Sequence, residues 1–138
     1  MNRNFLMATV AGTVVLMIVG YVLYGMLLMD FFTANTGTAT NVVKDPPGWL
    51  WLILGQFITA ALIALVLGWK GATDTGSGAK TAAFFGLVLS LGYGLTMLGT
   101  TNISNLTATL VDPFVAVIQF GAAGAVIGMM LGKDSSIA

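Results

Sequence analysis

The side chains able to do acid–base or ligand chemistry are few. The chain carries Asp30, Asp45, Asp74, Asp112 and Asp134 against Arg3, Lys44, Lys70, Lys80 and Lys133, and it has no glutamate, histidine or cysteine. Without imidazole or thiol there can be no disulfide, no thiol redox chemistry, no common zinc site, and no haem or copper held by those ligands. No metal and no cofactor is therefore expected. No nucleophile stands beside a base in any recognisable spacing, so an enzyme is not expected either. The balanced charges form no basic patch, which excludes a nucleic-acid footprint.

The remaining polar candidates lie inside apolar stretches. Counted inward from the outer boundary, Tyr21, Gln56, Tyr93 and Gln119 share a similar depth of roughly 10 Å at helical rise. Two arrangements would use them: an interhelical hydrogen-bond lock, or the floor of an outward-facing vestibule with Asp30 and Asp112 at its rim. The lock is the first expectation, because neither Gln nor Tyr is charged at neutral pH. With no acid or base placed near the midplane, a proton-driven antiporter is not expected.

Two local motifs are weaker. Gly76-Ser77-Gly78-Ala79-Lys80-Thr81 has the glycines and lysine of a phosphate-binding loop, but Ala79 breaks the required Gly-Lys-Thr and no strand precedes it. It is expected to be a plain cytoplasmic turn. Asn102-Ile103-Ser104 and Asn105-Leu106-Thr107 match the glycan acceptor pattern, yet Asn, Ser and Thr dominate loops in any case, where they cap and turn.

The elements that must hold these residues follow from hydropathy. Apolar residues make up 57% of the 138 and charged residues 7%, far from the soluble balance of about 45–50% and about 25%. Four segments, about 5–29, 48–69, 81–98 and 114–131, approach the ~20 apolar residues needed to cross a ~30 Å hydrocarbon layer. Inside that layer backbone hydrogen bonds must be satisfied within each span. The expected fold is all-α, a single polytopic transmembrane domain of four helices in an antiparallel bundle. The first segment exceeds a signal-peptide core and lacks a convincing cleavage site, so it is read as an uncleaved span. Placing Arg3, Lys70, Lys80 and Lys133 together, with Lys44 opposite, puts both termini in the cytoplasm. Trp49, Trp51 and Trp69 mark the two ends of the second span at headgroup level. Residues 30–48 and 99–113 become outer connections, with Asp112-Pro113 read as a cap-then-proline helix start. Residues 70–80 become a flexible inner hairpin.

Small residues mark the seams. Gly121, Gly124, Gly128 and Gly132 share one face of the last helix, which lets another helix approach closely. Gly86, Ser90, Tyr93 and Met97 form a similar arc on the third, with Gly94 beside it. Thr9, Gly12, Thr13, Leu16, Gly20 and Tyr24 form a stripe on the first. Asp112, Gln119, Ala123, Val126 and Met130 lie nearly opposite the last helix's glycines, so that helix has two specialised faces and a homo-oligomer or a membrane-complex partner is expected.

The aromatic element Tyr21-Val22-Leu23-Tyr24-Gly25, the Trp69-Lys70-Gly71-Ala72-Thr73 hairpin and the glycine-rich Gly124 to Gly132 run resemble a family of small bacterial four-helix integral membrane proteins of unknown function. The Trp-Tyr-x-Pro element of that family is not reproduced. The resemblance implies architecture and a bacterial inner (plasma) membrane location, and no activity. The first functional expectation is a non-enzymatic structural or accessory membrane component that self-associates or docks through the glycine face. The alternative is a small channel or carrier for a neutral or lipid-like solute. Membrane lipids are the partner in either case.

Overall fold

The computed structural model describes residues 2–135; the two chain termini themselves lie outside the described residues. Helix α1 spans Arg3–Val22, passes into a π turn at Leu23–Leu27, and is followed by the short α2, Met29–Ala34. Three long helices complete the chain: α3, Trp49–Lys70, α4, Thr75–Thr100, and α5, Leu106–Ser135. The described residues are all-helical, without strands. Four stretches are long and apolar enough to cross a membrane: Arg3–Leu27, Trp49–Lys70, Thr75–Thr100 and Leu106–Lys133.

Capping chemistry sets where these helices begin, and it corrects two expected boundaries. Asp74 takes the N-cap of α4, accepting the Ser77 amide at 2.9 Å. Residues 75–80 are consequently the first turns of a helix rather than a flexible hairpin. The inner connection shrinks to 71–74. Gly71 closes α3 in the left-handed region at φ 71°, and the Ala72 amide reaches back to the Leu67 carbonyl at 2.9 Å, the closure glycine allows because it has no Cβ to clash. On the other side Asn105 accepts the Ala108 amide at 2.9 Å, so α5 starts at Leu106 and not at Phe114. Asp112 and Pro113 lie inside the helix. Pro113 has no N–H for the Thr109 carbonyl, a loss that packed membrane helices tolerate.

The outer connections pack on each other. Gly37 donates to the Ile103 carbonyl at 3.0 Å and Ala39 to that of Asn102 at 2.9 Å. The Asn105 side-chain amide donates to Asn35 Oδ1 at 3.1 Å, which ties the end of α2 to the start of α5.

Helix α5 is the hub: it packs against α4, α1 and α3, whereas α4 rests almost entirely on α5. Leu16, Ile63, Leu67 and Ile127 fill the centre. At the joint of α1, α3 and α5, a Cβ on Gly12 would lie 3.3 Å from that of Ala60 and would overlap the Ile127 side chain. Thr9 and Thr13 are buried there, and both hydroxyls donate to carbonyls one turn back, at 2.8 Å. They satisfy themselves without bridging helices. The outward faces of α3 and α4 expose Leu50, Ile58, Phe84, Val88 and Leu95, the surface that hydrocarbon covers in a spanning protein.

Candidate functional site: a cavity beside a carboxylate

Between α1, the π turn, α3 and α5 lies a cavity of about 540 Å³. Its walls are apolar, from Leu16, Met17, Leu52 and Met29, and its polar tips come from Tyr21, Tyr24, Gln56 and Gln119. Trp49 and Tyr21, both exposed, stand at its mouth. A concave, mostly apolar space of 300–1,000 Å³ with a few convergent polar groups is the usual form of a small-molecule site.

Gln119 is fixed by backbone. Its side chain is buried, and Nε2 donates to the Leu16 carbonyl at 3.0 Å. The approach needs Gly20 one turn on, because a Cβ there would stand 2.6 Å from that nitrogen.

Behind the cavity wall is a second polar group. The Tyr24 hydroxyl donates to Asp112 Oδ1 at 2.6 Å, and the Ser90 hydroxyl donates to Oδ2 at 2.7 Å. One carboxylate thereby joins the π turn, α4 and α5. Tyr24 is held from its other side by Phe32 of α2, ring centroids 5.3 Å apart. The Leu28 amide reaches the Leu23 carbonyl at 2.8 Å, the i→i−5 bond of the π turn that carries Tyr24, and such turns concentrate at functional sites. No cationic side chain is among the hydrogen-bond partners of Asp112. Asp112 therefore sits two turns into α5, half-buried, rather than at the start of that helix.

Of the six residues expected in the layer or vestibule, Tyr21, Gln56 and Gln119 line the cavity, while Tyr93, Asp30 and Asp112 do not. Tyr93 is 66% exposed on α4. That helix has essentially one partner, so a position about 60° from the Ser90 line already faces outward. Asp30 is exposed in the first turn of α2. Tyr24 and Trp49 are the residues that sequence reasoning missed as site residues. The signal for Tyr24 was its place on the α1 stripe.

The glycine face is already occupied. Gly124 approaches Ala82 and Gly78; a Cβ on Gly128 would lie 2.6 Å from the Asp74 carbonyl oxygen and 3.0 Å from the Gly78 Cα; and Gly132 lies against Thr73. Gly121 faces Ala83 with room for a methyl at 3.5 Å, and Gly86 receives the Phe120 ring. The partner of this face is α4 of the same chain, so association through it would first require α4 to leave.

Comparisons with protein-family models, with curated proteins and with solved structures give no match. Function must be argued from this geometry.

Proposed function

We propose that the protein is a non-catalytic multi-pass membrane protein that binds a lipid-like or neutral amphiphilic solute in the cavity between α1, α3 and α5, as a carrier or accessory binding component. The observation that carries the reading is the cavity of about 540 Å³, greasy along its length and tipped with phenol and amide groups. The proposal includes an antiparallel arrangement of the four spans, cytoplasmic termini, and the bacterial inner membrane that the family resemblance implies.

The test uses Trp49, which lines the cavity. In a Trp51→Phe/Trp69→Phe background, a brominated long-chain alcohol should quench Trp49 saturably. Met17→Phe with Leu52→Phe fills the space and should weaken that quenching about tenfold, the equivalent of 1.4 kcal/mol. Unsaturable quenching, or an unchanged affinity in the filled variant, refutes the reading.

Self-association is a second proposal, with a different surface from the glycine face. Gly92, on the exposed side of α4, has nothing within 4 Å and would let a second helix approach closely. Native mass spectrometry of wild type and Gly92→Leu decides it: a dimer that the substitution dissociates supports it, and a monomer in both ends it.

A further inference from the structure

The cavity has a direction in its electrostatics. Tyr24 belongs to the cavity wall and at the same time donates its hydroxyl proton to Asp112 at 2.6 Å. The only formal charge bonded to the wall is therefore negative. Its other partner, Ser90, is neutral, and both donors hold the carboxylate oxygens without cancelling their charge. A carboxylate that accepts a hydrogen bond also polarises its donor: electron density rises on the phenolic oxygen and ring of Tyr24. Tyr21 and Trp49 add two further aromatic rings at the same cavity. Ring faces attract cations, most strongly where water is excluded. No Lys or Arg lines the cavity itself; Lys44 lines the adjoining pocket, which shares Pro47 and Leu52 with it.

We infer that the cavity selects amphiphiles with a positively charged nitrogen headgroup, an alkylammonium seated against Tyr24 with Asp112 as the countercharge behind it. This rests on the binding reading above and names the ligand class within it. The hydrocarbon tail takes the Leu16, Met17 and Leu52 wall. An anionic amphiphile of the same length is disfavoured, because its headgroup would lie against Tyr24 with a like charge, the Asp112 carboxylate, behind it in a medium of low dielectric.

Three brominated probes of equal chain length test it on the purified full chain in neutral detergent: a trimethylammonium, an alcohol and a sulfate. The readout is quenching of Trp49 in the single-tryptophan background, with a chain retaining only Trp69, at the far end of α3, reporting non-specific partitioning. The ammonium probe should bind about tenfold tighter than the alcohol, between the exposed and the desolvated values for a cation over an aromatic face, and the sulfate should bind weakest. Asp112→Asn should bring ammonium and alcohol within about twofold. Tyr24→Phe, which keeps the ring and removes the link, should lower the ratio in the same direction and serves if the Asn variant does not fold. Equal binding of alcohol and ammonium in the wild type overturns the inference while the binding reading survives. A preference that both substitutions leave intact also overturns it. If no probe quenches Trp49 beyond the partitioning control, the binding reading itself fails and takes the inference with it.

Discussion

Asp112 holds three segments through two hydroxyl groups, and its substitutions should separate geometry from charge. Asparagine keeps an acceptor for Tyr24 and can turn the bond with Ser90 round, so the unfolding free energy should change by less than about 1 kcal/mol. Leucine leaves both hydroxyls without their acceptor, a loss of about 1–3 kcal/mol. Denaturation in mixed micelles reads both, and equal losses would mean that charge rather than hydrogen bonding holds the contact. Gly20 and Gln119 form a second coupled pair. Gly20→Ala crowds Nε2 at 2.6 Å, so its cost should fall by about 0.5 kcal/mol or more when Gln119 is already Ala. An additive cycle would show that the amide simply moves aside. Gln119 was legible as a polar residue in an apolar helix; that it would bond a backbone carbonyl was not, since no sequence pattern marks which carbonyl a glycine has uncovered. Asp112 was misplaced for a definable reason. Asn105 and Asp112 are both good N-cap residues, and the proline after Asp112 favoured the wrong one.

At the scale of the element, the α4–α5 seam depends on glycines whose missing side chains are replaced by neighbouring backbone. Gly128→Ala would drive a methyl against the Asp74 carbonyl and the Gly78 Cα, neither of which can swing away as a side-chain tip could. The expected cost is about 1–3 kcal/mol or more. Gly55→Ala on α3 and Gly92→Ala on α4 meet nothing within 4 Å and should be neutral or stabilising by up to about 1 kcal/mol, through helix propensity alone. If all three behave alike, the seam is not packed as described. The glycine face could be read from i, i+4 spacing, but its partner could not, because the same face suits another chain equally well. The start of α4 adds a pH signature. Hydrogen bonds from the Ser77 hydroxyl and amide hold the Asp74 carboxyl below the usual carboxylate range. A depressed folded pKa means the cap contributes above the ordinary carboxylate pKa and is lost as pH falls through the lower, folded value. Exchange of the Ser77 amide, corrected for its intrinsic pH dependence, should therefore quicken on acidification. Asp74→Asn should remove that dependence.

For the whole molecule, the spans themselves were legible because hydrocarbon leaves the backbone no alternative to helix, whereas the cavity was legible only in part: the shared depth of Tyr21, Gln56 and Gln119 pointed to it, but its enclosure by α1, the π turn, α3 and α5 is a property of packing alone. The same packing places residues 37–39 against 102–103 through the Gly37 and Ala39 amides, and lays the 71–74 turn across Gly128 and Gly132 near the end of α5. One group of loops therefore shares a surface, and the other lies the 26 residues of α4 away, a distance of about 39 Å, enough to put a hydrocarbon layer between them. The grouping of Arg3, Lys70, Lys80 and Lys133 predicts which surface is cytoplasmic. A chain without native cysteine makes the measurement direct. Thr38→Cys and Asn102→Cys should react with a membrane-impermeant maleimide on intact cells, and Thr75→Cys only after permeabilisation. Reaction of Thr75→Cys alone would invert the orientation while leaving the bundle intact. Reaction of Thr38→Cys without Asn102→Cys would put two hydrogen-bonded loops on opposite sides of a bilayer, and the packing that forms the cavity could not then exist.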